Sequence, residues 1–198
     1  MGTIGKDFRF KVIKNFLSKE EITLFQKYCE IKHRTNKNSF DWKYSNVAAT
    51  FFYGEAILDA LMVEKTSLME RESGLKLLPT YSFFRSYIKG AILDKHTDRP
   101  ACEISCTVNV GGDTDWPIYM DGTPLHLKPG DAAMYLGQDI VHWREALKGD
   151  HQFQFFLHWV DANGKNTDQY MDGRLYWGTP SPKAPRRNKP YDPEENGN

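Results

Sequence analysis

Hydrophobic and polar positions change their period along this chain. Phe8-Arg9-Phe10-Lys11-Val12-Ile13 alternates loosely, as a half-buried strand does. Ser18-Lys19-Glu20-Glu21 then reads as a helix start, with Ser18 as N-cap and Glu21 closing a capping box. The helix is predicted to run to about His33, with Ile22, Phe25 and Cys29 on its apolar face. Residues 34–48 are polar and read as a loop. A second helix is expected from Tyr53 to about Glu72, faced by Ile57, Leu61, Val63, Leu68 and Met69 and stopped by Gly74.

From Leu78 to Ala162 aromatic and β-branched runs alternate with Gly, Pro, Asp and Asn turns. The predicted strands are Thr80–Ile88, Leu93–His96, Glu103–Val110, Pro117–Met120, Leu125–Leu127, Ala132–Leu136, Ile140–Arg144 and Gln152–Val160. So many short strands argue for a sandwich or barrel and against a parallel sheet. Lys128-Pro129-Gly130-Asp131 is a turn, since Pro presets φ and Gly permits positive φ. Residues 178–198 are Pro-rich and charged and read as a flexible tail, with Lys183, Arg186, Arg187 and Lys189 as a solvated cluster. The expectation is a β-dominated α+β fold, one domain over residues 7–177 with N-terminal helices packed on the β core.

Composition narrows the setting. With 198 residues, 40% hydrophobic and 14% aromatic, the chain can bury a core, which excludes wholesale disorder. Lys+Arg and Asp+Glu both number 26, which argues against coating nucleic acid or an anionic membrane. No run approaches the roughly 20 apolar residues of a membrane helix, and the polar start lacks the apolar segment of a secretory signal. Cys102 and Cys106, placed in one strand, would lie about 13 Å apart, too far for a disulfide. A reduced, cytoplasmic protein is expected.

The candidate chemistry lies in His96-Thr97-Asp98, a His and a carboxylate able to share one face at a strand end, and in His142 on a separate strand. Two His and one carboxylate make the facial triad of non-haem Fe(II). On spacing alone the histidines fit equally well as buried residues with satisfied hydrogen bonds. His33 suits a helix C-terminus, and His126 and His158 read as structural strand residues.

Taken together, Tyr81-Ser82-Phe83-Phe84-Arg85-Ser86-Tyr87-Ile88-Lys89-Gly90, His96-Thr97-Asp98-Arg99-Pro100, Gly130-Asp131 and His142-Trp143-Arg144-Glu145 resemble the Fe(II)/2-oxoglutarate-dependent dioxygenases. The prolyl-hydroxylase-like branch is the most similar, and Asn15 to Glu21 resembles its N-terminal segment too. The resemblance implies a double-stranded β-helix, the jelly-roll or cupin-like barrel, with His96, Asp98 and His142 as iron ligands. It implies 2-oxoglutarate as cosubstrate, O2 as co-reactant and ascorbate as accessory reductant, and hydroxylation of an unactivated C–H bond with release of succinate and CO2. Tyr87 matches a tyrosine that hydrogen-bonds 2-oxoglutarate in that branch.

One position departs from the pattern. The family usually carries Arg or Lys nine or ten residues after the distal His, and His151 stands nine after His142 here. Arg85 shares a strand face with Tyr87 and ranks with His151 as the carboxylate anchor. Arg144, sharing a face with His142, is a further candidate, as are Lys148 and Arg99 with less support. Trp116, Tyr119, Tyr135 and Trp143 are candidate pocket or core aromatics, and residues 111–117 and 34–48 are candidate lids. The substrate class is open between a prolyl or other peptidyl residue, a free amino acid and a small metabolite. The rival readings are a cupin-like metalloenzyme that ignores 2-oxoglutarate and a non-catalytic binding module.

Overall fold

The computed structural model describes residues 9–35 and 49–179. In chain order these form β1 (Phe10–Ile13), α1 (Lys19–Thr35), β2 (Ala49–Tyr53), α2 (Ala56–Ser73), β3 (Leu77–Ile88), β4 (Leu93–His96) and β5 (Ile104–Gly112). β6 (Ile118–Met120), β7 (Thr123–Leu125), β8 (Ala132–Leu136), β9 (His142–Arg144) and β10 (His151–Asp161) follow. A large sheet has the order β1-β8-β5-β10-β3-β2 and a small one β4-β9-β6-β7, with every pairing antiparallel. Sequence neighbours such as β4 and β5 lie in different sheets, the interleaving of a double-stranded β-helix.

The helix starts and stops follow local chemistry. The Ser18 N–H donates to Glu21 Oε2 at 2.7 Å, and the Glu21 N–H donates to Ser18 Oγ at 3.1 Å. Two N–H groups with no intrahelical partner are thus satisfied reciprocally. Gly74 ends α2 at φ 73°, where its N–H donates to the Glu70 carbonyl. The buried face of α2 is Leu58, Leu61, Met62 and Met69, while Val63 points to solvent at 45% exposure. A residue one step from Met62 is turned about 100° around the helix, so Val63 falls off the stripe that meets the sheet. Phe25 and Cys29 of α1 are buried as expected, in one core with Phe84, Phe155 and Trp159 from the outer face of the large sheet.

Several elements differ from their local pattern. Residues 49–53 form β2, so that Tyr53 ends a strand rather than opening the second helix, because Phe51, Phe52 and Tyr53 stack on Phe83, Phe84 and Tyr81 of β3 at 5.4, 5.2 and 5.0 Å. β7 lies two residues earlier than predicted, leaving His126 outside any strand, exposed and paired with Asp115. Cys102 sits in a 3-10 turn, Pro100–Cys102, and all three cysteines are free and buried. Of the 111–117 loop, Gly111 and Gly112 continue β5. Trp116 is buried, with its indole N–H on the Glu145 carbonyl at 2.7 Å. The other candidate lid falls largely on residues 36–48, and the cationic tail cluster on residues after 179, both outside the described residues.

Residues 162–179 form a strap across one end of the barrel, in which short 3-10 turns within Thr167–Gly173 are interrupted by a kink at Tyr170, Met171 and Asp172. A fully buried ion pair holds it, Arg174 to Asp59 at 2.7 Å. The Asp59 carboxylate also accepts from the Ser82 N–H, the Ser82 hydroxyl and the Gly178 N–H. Among the described residues, no helix is long and apolar enough to cross a membrane.

Candidate metal centre and its cavity

Strand alternation sends Tyr81, Phe83, Arg85 and Tyr87 of β3 to the face opposite Phe84, toward the small sheet. Phe156 and His158 of β10 and Tyr135 of β8 point the same way. With His96, Asp98 and His142 they enclose a cavity of about 490 Å³.

The ligand triad is built by register. His96 and His142 are directly paired residues of β4 and β9, with ring centroids 4.2 Å apart. The Asp98 N–H donates to the Gly137 carbonyl at 2.7 Å, which brings the carboxylate to the same point. One ligand atom from each of the three lies within 4.8 Å of the others. Asp98 Oδ1 is 3.8 Å from His96 Nε2 and 3.6 Å from His142 Nε2. Each imidazole is oriented by its own strand, with His96 Nδ1 on the Asp94 carbonyl at 2.7 Å and His142 Nδ1 on the Ile140 carbonyl at 3.0 Å. A carbonyl only accepts, so both rings carry the proton on Nδ1 and turn a bare Nε2 to the centre. Burial pushes the His142 imidazole below its ordinary pKa, against the opposing pull of Asp98.

Asp98 has a cradle of its own. Its Oδ2 accepts from Ser105 Oγ at 3.1 Å, and that oxygen lies 3.0 Å from His158 Nδ1. Gly137 makes room for the cradle: a Cβ there would stand 2.7 Å from Ser105 Oγ and 2.8 Å from Asp98 Oδ2. Burial pushes the His158 imidazole down to about 4.

At the other end of the cavity, Arg85 and Tyr87 follow each other on one strand face. The guanidinium lies 5.4 Å from the Phe83 ring and 6.0 Å from the Tyr87 ring. Arg85 Nη1 and the Tyr87 hydroxyl are buried polar atoms with no hydrogen-bond partner among the described residues. Such groups are costly unless something accepts from them. Arg144 lies behind this end. It is buried, sits 4.7 Å from the Trp116 ring and donates to the Trp116 carbonyl, with Nε unpartnered. It makes no ion pair with Glu145 or Asp98, and burial pushes its guanidinium down to about 10.

His151 does not line the cavity. It is half-buried at the start of β10, against Phe153 and 6.2 Å from His33, with its backbone N–H on Asp113. The inward positions of that strand carry Gln152 and Gln154, whose amides donate to Asn109 Oδ1 and Thr107 Oγ1 at 2.8 Å each. Lys148 lies outside the cavity. Arg99 is on its wall, spent on Asp172 at 2.7 and 2.8 Å.

Of the four aromatics singled out from sequence, only Tyr135 reaches the cavity. Trp116 packs behind Tyr87, and Tyr119 and Trp143 stack on each other at 5.2 Å elsewhere. The aromatic wall is instead Tyr53, Tyr81, Phe83 and Phe156. Strand alternation over Tyr81–Tyr87 held the signal for Tyr81 and Phe83. His158, read as structural, lines the cavity. No local signal marks Tyr53, Ser105 or Asp172, which reach the site by long-range packing.

No protein-family model and no curated protein matches the chain. Solved structures do. The viral collagen prolyl hydroxylase of Paramecium Bursaria Chlorella virus-1, in its 2-oxoglutarate complex, is 14% identical with a TM-score of 0.62, over 81% of this chain and 100% of its own. SnoK, a non-haem α-ketoglutarate-dependent carbocyclase from nogalamycin biosynthesis, is 13% identical with a TM-score of 0.66, over 89% and 90%. HygX from Streptomyces hygroscopicus, solved with nickel and 2-oxoglutarate, is 9% identical with a TM-score of 0.58, over 79% and 84%. At these identities the likeness is one of architecture, and the architecture is the double-stranded β-helix of the 2-oxoglutarate-dependent oxygenases.

Proposed function

We propose that this protein is an Fe(II)/2-oxoglutarate-dependent oxygenase acting on a small molecule or a peptidyl side chain. One observation carries the reading: a His-Asp-His cluster shares a single cavity with an unpartnered buried guanidinium nitrogen and an unpartnered buried phenol. Two neutral imidazoles and a carboxylate suit Fe(II) and leave coordination positions open for a chelating cosubstrate. Bound there, Fe(II) with 2-oxoglutarate and O2 supplies oxidation of an unactivated C–H bond, coupled to decarboxylation of the cosubstrate to succinate.

The chain's own residues bind, orient and exclude water. Arg85 and Tyr87 take the far carboxylate of 2-oxoglutarate, the guanidinium by a charge-assisted hydrogen bond and the phenol as a second donor. Arg144 stands behind them and adds positive field in a low-dielectric setting. Tyr53, Tyr81, Phe83 and Phe156 give the substrate an apolar wall and keep water away. The structurally similar proteins include prolyl hydroxylases and enzymes of nogalamycin biosynthesis, so the fold fits peptidyl and small-molecule substrates alike.

The test is an anaerobic titration of metal-free protein with Fe(II), then 2-oxoglutarate, followed in the visible spectrum. A weak charge-transfer band that needs both additions supports the reading. Iron bound without the band supports a cupin-like metalloenzyme instead, a reading favoured by His151 and Gln152, which stand nine and ten residues after His142 where the resembled family usually carries its cation.

A further inference from the structure

His158 is 4% exposed, lies on the cavity wall and, among the described residues, makes one hydrogen bond, through Nδ1. The partner, Ser105 Oγ, also stands 3.1 Å from Asp98 Oδ2 and 2.9 Å from the Cys102 carbonyl. A carboxylate and a carbonyl only accept, and the hydroxyl has one proton for the two of them. The imidazole is therefore the donor to Ser105, with its proton on Nδ1. No carboxylate lies within hydrogen-bond distance of the ring to favour a second proton, and its burial opposes the charge. Nε2 is left as a bare acceptor open to the cavity.

The remaining walls say what can meet it. Asp98 serves the metal, Arg85 serves the dicarboxylate, and Arg99 and Asp172 neutralise each other in a bidentate pair. Among the described residues of the wall, these charges are already committed. The rest of the wall is aromatic: Tyr53, Tyr81, Phe83 and Phe156.

We propose that His158 is the specificity-determining residue of this cavity, accepting at Nε2 a hydrogen bond from the N–H or O–H of a neutral, ring-bearing substrate. Through Nδ1 and Ser105 the imidazole stands two hydrogen bonds from the Asp98 carboxylate, and it lines the same cavity as the His-Asp-His cluster, so a donor seated on Nε2 shares that cavity with the cluster. A charged substrate group would meet no partner there. A ring without a donor would leave Nε2 desolvated and unpaired.

The inference rests on the oxygenase reading of the cavity, and the experiment separates the two. The full chain is loaded with Zn(II) and 2-oxoglutarate, a combination that cannot turn over, and probed with indole and with 1-methylindole. Nitrogen NMR of His158 should show Nδ1 protonated and Nε2 bare at neutral pH, with the Nε2 resonance shifted by indole alone. Indole should bind about tenfold more tightly than its methylated analogue. That preference should vanish in His158→Phe and survive in His158→Gln, which retains an acceptor. A proton on Nε2, or equal binding of the two probes by the native chain, overturns the proposal. Failure to take up Zn(II) overturns the oxygenase reading along with it.

Discussion

Ser105 divides its one hydroxyl proton between the Cys102 carbonyl at 2.9 Å and, at 3.1 Å, the oxygen of Asp98 that faces away from the histidines, leaving Oδ1 to face both Nε2 atoms. Removing that hydroxyl frees the carboxylate to rotate. Ser105→Ala is expected to weaken Fe(II) or Co(II) binding roughly 10–100-fold, the usual cost of losing an outer-shell partner, with little change in the thermal midpoint of the metal-free protein. Metal titration beside a melting curve checks it. His142→Ala should abolish metal-dependent turnover and keep the fold. At the other end of the cavity, Arg85→Ala should raise the 2-oxoglutarate KM at least about tenfold, because it removes a charge-assisted hydrogen bond. His151→Ala should leave KM unchanged. The reverse result would move the anchor to His151 and to the position where the family carries its cation.

Elements carry their own tests. The capping box starts α1 with two hydrogen bonds, and Ser18→Ala should cost about 1 kcal/mol in a denaturant melt. The turn before β8 is closed by Asp131. Burial pushes its carboxyl up, but Lys14 at 2.8 Å and the N–H groups of Asn15 and Lys128 outweigh that and hold it below the usual carboxylate range. A carboxyl with a lowered folded pKa contributes stability above its unfolded pKa and loses it as pH falls through the folded value. Asp131→Asn should therefore destabilise the protein at neutral pH, and the gap to the native chain should close below about pH 4. Unfolding followed at both pH values reads this directly. Both features were legible locally, because a capping box and a Pro-Gly turn act within four residues. The strand β2 was not. Its aromatics have no alternation of their own to display and become a strand only when β3 offers Phe83, Phe84 and Tyr81 to stack on.

The whole molecule is joined by contacts that no window of sequence contains. Asp59 and Arg174, both fully buried, connect α2 to the strap. Removing one partner strands the other as an unpaired buried charge. Asp59→Ala should cost on the order of 3–5 kcal/mol, measured by urea unfolding. The strap also carries Asp172, which accepts from Tyr53 and from Arg99 and so completes the cavity wall. Loss of the Asp59–Arg174 pair should therefore loosen ligand binding as well as lower stability.

The amino-acid sequence by itself determined the alternation of strands, the turns between them and the two helix boundaries that carry caps, and it marked His96, Asp98 and His142 as a candidate ligand set that the fold brings within 4.8 Å of one another. These depend on side chains a few residues apart or on a motif's chemistry. Only the tertiary structure decided that Arg85, and not His151, lies on the cavity wall. Nor could the sequence decide that Trp116 and Trp143 stay out of the cavity while Tyr53 enters it, or that His158 stands behind the Asp98 carboxylate, joined to it through Ser105. Those facts follow from sheet register and from how two sheets and a strap close on each other. A one-residue change of register moves every side chain of a strand to the opposite face, and register is set by packing across the whole fold.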